Sequence, residues 1–302
     1  MDKSALCDVE QITAMLAGLP AKPNGEPLCD ILSDSPPFGE FAPPATSRWI
    51  FQQLARLPDR RWARRMNVLL RRCALNRRRQ VYDVTAYGIQ LRLHPFDNVT
   101  EKQLLCGPQL FDPEERQLIQ DRATPDLVFV DIGANAGIYS LLAASTARTG
   151  KVIAVEPDPV MHERLVFNKA VNHFDQLLPV RCAVSDRRGE TTMFINHRNR
   201  GQNSLVNATG TQVTVACIPL LSLFDQFSVG SPDILKMDIE GLEHDVLKHF
   251  FQTASRDRYP RTLIIEQHEV LDDDALQLAL QYGYRLLKRT SAQNVVLDLT
   301  GK

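Results

Sequence analysis

Five short apolar runs, at 127–132, 151–156, 178–184, 233–238 and 262–266, recur along the chain with helix-length stretches between them. A strand buried on both faces reads as a continuous apolar run, and two parallel strands need a crossover to join them. This spacing therefore predicts a mostly parallel sheet covered by helices on both sides. After residue 266 the pattern changes. Runs at 284–289 and 295–299 are separated only by the polar stretch 290–294, too short for a crossover, so they pair antiparallel to each other. The expected fold is α/β, a doubly wound, mostly parallel seven-stranded sheet with a C-terminal antiparallel strand pair, preceded by a helical and extended N-terminal extension. A composition of 44% apolar and 24% charged residues over 302 positions agrees with a globular chain, and excludes collagen-like, disulfide-scaffold and wholly disordered classes.

The six cysteines, Cys7, Cys29, Cys73, Cys106, Cys182 and Cys217, form no C-x-x-C pair and no Cys/His finger spacing. Neither a disulfide framework nor a zinc site is expected, which suits a reducing, cytoplasmic setting. The start of the chain lacks a basic region followed by an apolar core, and no apolar run approaches membrane-spanning length, so neither an export signal nor a span is read. Residues 1–80 read as an extension and 81–302 as the catalytic-size domain. Within the extension, residues 8–19 could form a short helix and the proline-rich segment 20–44 an extended linker. Residues 47–79 read as one or two helices interrupted near Pro58. At the hairpin expected around Gly88, Tyr82, Val84 and Ala86 alternate on one side, and Ile89, Leu91 and Leu93 on the other. Asp112, Pro113 and Glu115 read as an N-cap, an N1 proline and the acid of a capping box.

Residues 130–137, Val-Asp-Ile-Gly-Ala-Asn-Ala-Gly, close one apolar strand and open an apolar helix. Glycines there let backbone approach a ligand, and helix N-terminal N–H groups favour an anionic group. The next strand ends in Glu156, 19 residues beyond Gly137, where an acid can accept from both hydroxyls of a ribose. Asn135 stands where a dinucleotide fingerprint needs its second glycine, which disfavours NAD and FAD. With these residues in hand, the sequence resembles the class I S-adenosylmethionine-dependent methyltransferases, and among them the FkbM family. The resemblance rests on residues 131–137 with Tyr139 and Ser140, on Glu156-Pro157-Asp158-Pro159, on residues 183–186 and 201–205, and on the block 233–243. It spans about residues 82–302 and implies S-adenosylmethionine as cofactor. Asp131, Gly133, Asn135 and Gly137 would surround its methionine part and Glu156 its ribose, while Ala183, Ser185 and Asp186 would line its adenine.

An O-methyltransferase must take a proton from a hydroxyl, so a base or a metal is sought beside the methyl donor. Lys236, Asp238, Glu240 and Glu243 crowd the end of the fourth strand; Glu240 and Glu243 could instead merely favour a helix N-terminus. Glu266 and His268 end the fifth strand. His268 is the first choice for the base, because imidazole titrates near neutrality. The alternative is a divalent cation, Mg²⁺ or Mn²⁺, held by Asp238, Glu266 and His268. Residues 196–210 read as a mobile loop over the acceptor pocket. The acceptor implied by the resemblance is a hydroxyl of a sugar, a glycan or a secondary metabolite. The rival reading is a non-catalytic adaptor with a cofactor-shaped domain.

Residues 48–79 carry eleven arginines and one acid, a local charge of +10 in a chain whose net charge is −1. Trp62, Met66, Leu69, Leu70 and Cys73 recur at helical spacing among them. Three partners follow for this basic amphipathic helix. Its stripe could dock on the catalytic domain or on a second copy, its charge could meet anionic lipid or an acidic glycan at the inner face of a membrane, or it could bind nucleic acid, the least supported because no recognisable module accompanies the charge.

Overall fold

The computed structural model describes residues 35–76, 78–196, 211–239, 241–267, 274–290 and 293–301. The helix read at 8–19 lies outside them. Helices α1 (Ala45–Leu54) and α2 (Arg61–Ala74) precede a hairpin of β1 (Tyr82–Ala86) and β2 (Ile89–Leu93). Helix α3 (Val99–Cys106), a 3-10 turn at Pro108–Leu110 and α4 (Pro113–Arg122) lead into the main sheet. That sheet is built from β3 (Val128–Ile132), β4 (Lys151–Val155), β5 (Leu177–Val180), β9 (Ile234–Met237), β10 (Thr262–Glu266), β11 (Tyr284–Arg289) and β12 (Asn294–Leu299). Its strand order is β11-β12-β10-β9-β3-β4-β5. The five central and edge strands from β5 to β10 run parallel, and β12 lies antiparallel between β10 and β11. The expected doubly wound sheet and its antiparallel close are both present.

Side chains alternate across this sheet with period two, and each face has its own core. Val130, Ile132, Ile153, Val155, Leu235, Met237, Leu263 and Ile265 face a cluster with α7 (Leu220–Gln226), α8 (Glu243–Thr253) and α9 (Asp274–Gln281). Phe129, Val152, Ala154, Ile234 and Ile264 face the opposite cluster, which includes α5 (Ile138–Thr146) and residues of α1, α3 and the hairpin. Helix α6 (Pro159–Asn172) completes the crossover between β4 and β5, and Leu165 places it in that second cluster.

Sequence expectation and structure part at four places. The single run 178–184 is two strands. Residues Leu177–Val180 complete the main sheet as β5, whereas β6 (Ala183–Ser185) turns into a separate sheet, where it pairs parallel with β8 (Thr211–Pro219). That sheet is completed by β7 (Gly189–Ile195), antiparallel to β8, and neither β7 nor β8 was read from the sequence. The capping box at Asp112 is not formed. Asp112 has a left-handed backbone (φ 34°) and makes no side-chain cap. The Glu115 carboxylate accepts from the Thr290 hydroxyl and the Asn294 amide of the C-terminal strands instead. The proline-rich segment, read as an extended linker, is anchored to the hairpin where it is described. The Arg92 guanidinium donates to the carbonyls of Pro36 (2.8 Å) and Pro37 (2.9 Å), and Asp83 accepts from the backbone N–H of Gly39 (2.8 Å) and Phe41 (3.1 Å). Arg92 and Asp83 are themselves a bidentate buried pair, of the kind whose rupture costs about 3–5 kcal/mol.

The fourth departure concerns α2. Its Trp62, Met66 and Leu69 do not dock on the other described residues; they are 53%, 41% and 63% exposed. The helix is seated by the neighbouring stripe, Ala63, Asn67 and Ala74, which is buried. Asn67 secures it by donating its side-chain amide to the Cys106 carbonyl at 2.7 Å.

Candidate functional site

A cleft of about 960 Å³, counted to its open mouth, lies at the carboxyl ends of β3, β4 and β9. Open α/β sheets bind ligands at this edge, because strand-to-helix turns there expose backbone N–H groups. The turn after β3 is made possible by two glycines in left-handed backbone. A Cβ on Gly133 (φ 81°) would lie 1.9 Å from the Asp238 carbonyl oxygen, and one on Gly137 (φ 87°) would lie 2.2 Å from Leu165 Cδ1. Asn135 is also left-handed (φ 53°), a conformation asparagine tolerates. Its side-chain oxygen accepts from the Ala136 N–H at 2.7 Å and from the Asn98 amide at 2.8 Å. Asn98 in turn caps α3 by accepting from the Glu101 N–H.

Glu156 lines this half of the cleft. Its two carboxylate oxygens accept from the backbone N–H of Asn135 and of Asp158, each at 2.8 Å. Burial raises its pKa to about 8, although both backbone donors oppose that shift. Asp131 lies beneath the turn, fully buried, accepting from the Ser140 hydroxyl at 2.6 Å. Burial lifts its pKa too, against the pull of Lys236. Its Oδ1 has no hydrogen-bond partner among the described residues. Val155, Ala183, Val184 and Met193 supply an apolar side wall.

The other half of the cleft is lined by Asp112, Tyr139, Lys236 and Asp238, with Thr100 and Phe111 at its edge. Lys236 Nζ donates to Asp238 at 2.9 Å and lies 4.9 Å from the centre of the Tyr139 ring. Burial alone would favour neutral Lys236, but the Asp238 and Asp131 carboxylates outweigh it and hold the ammonium charged well above its ordinary range. The Tyr139 hydroxyl donates to Asp112. Burial raises the pKa of Asp112, and the Tyr139 hydrogen bond only partly counters that. Burial and Asp112 together keep the phenol protonated, hence a donor.

Of the residues singled out from sequence, Gly133, Asn135, Glu156, Ala183, Lys236 and Asp238 line the cleft. Asp131 and Gly137 support its floor without lining it. Ser185 and Asp186 lie outside, Ser185 donating to the exposed Asp186 at 2.9 Å. Glu243 shapes the turn after β9, accepting from the N–H groups of Ile239 (2.8 Å) and Gly241 (3.0 Å). Glu266 ends β10 and is not among the lining residues. Glu240, His268 and the loop 197–210 lie outside the described residues. Among the described residues no group of three His, Cys, Asp or Glu is placed to hold a metal ion. Asp112, Thr100 and Asn98 were not read as site residues. Asp112 carries an ordinary capping signal in the sequence, yet its backbone is left-handed and its side chain lines the cleft.

The profile of the FkbM methyltransferase domain matches residues 131–286. A hexuronic acid methyltransferase, AglP of Haloferax volcanii, is 24% identical over 192 residues, covering 64% of this chain and 75% of that protein. The methyltransferase sdnD of Sordaria araneosa is 30% identical over 152 residues, covering 39% of this chain and 58% of that protein. Among solved structures, an FkbM methyltransferase from Methylobacillus flagellatus KT aligns at TM-score 0.42 and 17% identity, covering 83% of this chain and 58% of the other. A tRNA m1G37 methyltransferase from M. jannaschii aligns at TM-score 0.43 and 13% identity, covering 76% and 60% respectively.

Proposed function

The chain belongs to the FkbM methyltransferase family, and on that premise we propose that it transfers the methyl group of S-adenosylmethionine to a hydroxyl oxygen of a sugar, glycan or secondary metabolite. The cleft suits this cofactor. Glu156 presents its carboxyl oxygens to a pair of ribose hydroxyls, and the apolar wall of Ala183, Val184 and Met193 suits a flat ring. When bound, the cofactor supplies an electrophilic methyl carbon, whose transfer breaks a carbon–sulfur bond and forms a carbon–oxygen bond.

The observation that carries the reading is the convergence of Asp112, Tyr139, Lys236 and Asp238 on the same cleft. A buried carboxylate with a raised pKa is a better proton acceptor near neutrality than a solvated one, so Asp112 takes the hydroxyl proton. The Tyr139 hydroxyl holds that carboxylate in place. Lys236, kept charged, stabilises the oxygen as negative charge develops on it, and Asp238 positions the ammonium. A divalent cation at Asp238 would have to displace this ammonium, which disfavours the metal-assisted version. A sugar acceptor is supported by the substrate named for the Haloferax relative.

The test is a calorimetric titration of the purified chain with S-adenosylmethionine, followed by transfer of labelled methyl to hexuronate-containing acceptors. Binding that is weakened in Glu156→Ala, followed by base-stable label on the acceptor, supports O-methylation. Absence of binding by a folded sample overturns the reading, and base-labile label would mean ester formation on a carboxylate instead.

A further inference from the structure

The arginine-rich surface of α1 and α2 takes no part in the cleft chemistry, yet it is built like an interface. Trp62, Met66 and Leu69 follow one another at intervals of four and three along α2, so they form one stripe, and it faces solvent. Arg61, Arg65 and Arg72 are exposed and flank that stripe on the side away from the buried Ala63–Asn67–Ala74 face. Among the described residues, Arg64 is the one arginine of this helix with a carboxylate partner, Asp59, and that pair is itself exposed. On α1, Trp49 is 62% exposed. The surface therefore combines a row of large apolar side chains with a dense positive charge, while residues 80–302 are net negative (−6).

We infer that this surface docks on an anionic lipid bilayer. A helix with Trp, Met and Leu beside a rank of arginines matches the headgroup boundary, where the apolar row enters the acyl edge and the guanidinium groups pair with phosphates. A polyanion without an apolar phase would leave the row of Trp62, Met66 and Leu69 in water, so charge alone does not account for the surface. The net negative charge of the rest of the chain orients the molecule with this face toward the bilayer. No helix among the described residues is long and apolar enough to span a membrane. The surface is also fixed to the cleft. Asn67 holds the Cys106 carbonyl, and the Gln109 amide donates to the Leu54 (2.8 Å) and Leu57 (2.9 Å) carbonyls. The segment thus gripped, α3 and the turn after it, brings Thr100, Phe111 and Asp112 to the cleft.

The experiment uses the full chain and its own fluorescence, because Trp49 and Trp62 are its two tryptophans. Phosphatidylcholine vesicles with about 30 mol% phosphatidylglycerol, in about 0.15 M salt, should pellet the protein and shift its emission to the blue. Pure phosphatidylcholine should bind at least ~10-fold more weakly, since the charge contribution is absent. The variant Arg61→Gln/Arg65→Gln/Arg72→Gln should lose about 100-fold in vesicle affinity. Met66→Ser/Leu69→Ser should lose about 10-fold or more with its circular dichroism unchanged. Failure of the full chain to bind the anionic vesicles overturns the inference, as does undiminished binding by the serine variant. Tighter retention on single-stranded RNA or heparin than on these vesicles at the same salt also overturns it. So does a dimer in sedimentation that buries both tryptophans and dissociates in the serine variant.

Discussion

The two walls of the cleft are made by different means. The wall with Glu156 is built from consecutive residues at two strand ends, 131–137 and 156–158, and is held by backbone N–H groups 2.8 Å from a single carboxylate. The wall with Lys236 is assembled from three separated segments, at 112, 139 and 236–238, whose functional groups are linked to one another by side-chain contacts. Backbone-built sites tolerate side-chain exchange around them, because the donors belong to the fold. Side-chain-built sites fail when one member is removed, because the remaining charges are left without partners in a medium that solvates them poorly.

This difference orders the expected effects of mutation. Lys236→Met should be the most damaging change. It leaves Asp131 and Asp238 without their cation, lowering turnover about 10³-fold and stability by about 3 kcal/mol, as read by methyl transfer and by urea denaturation. Where that variant does not fold, Asp238→Asn serves in its place; unimpaired turnover there would remove the positioning role of this ion pair. Asp112→Asn should lower turnover about 10²-fold while donor affinity changes less than about 3-fold. Equal loss of both would make Asp112 structural and reopen the choice of base to His268, whose alanine variant is then the deciding measurement.

Glu156→Ala should act on binding instead, weakening S-adenosylmethionine about 10-fold with a smaller effect on turnover, since it removes the acceptors for ligand hydroxyls. A pH dependence of folding is read on stability alone. Glu156 ionises near 4.5 when unfolded and near 8 when folded, so between those values the folded chain binds more protons than the unfolded one. Its contribution to stability is therefore greatest below about 4.5 and is lost as pH rises toward 8. Urea midpoints measured across that window should fall less steeply in Glu156→Gln than in the parent chain. Identical slopes would mean that Glu156 is solvated when the cleft is empty.

The legibility of the site follows the same division. Gly133, Asn135, Gly137 and Glu156 were readable because their roles depend on neighbours one to four positions away and on a fixed strand-to-helix spacing. Asp112 was misread because its local sequence, acid-proline-glutamate, has a sufficient local explanation as a helix start. What overrides that explanation is long-range. Thr290 and Asn294 claim Glu115, and Tyr139 claims Asp112, which leaves no capping box to form. The split of 178–184 into β5 and β6 was hidden for a similar reason, since apolar period alone cannot say which of two sheets a residue joins.

By itself the sequence determined the strands of the main sheet, their parallel run with its antiparallel close, the glycine turn and the excess of arginine on one short segment. These depend on period, backbone conformational freedom and composition, all of which are local quantities. Tertiary structure alone decided that Asp112 and Tyr139 meet beside Lys236, and that α2 is seated by Ala63, Asn67 and Ala74 while Trp62, Met66 and Leu69 face solvent. Both outcomes turn on which of two chemically competent faces or partners lies within a few ångströms, and that distance is set by packing between elements far apart in the chain.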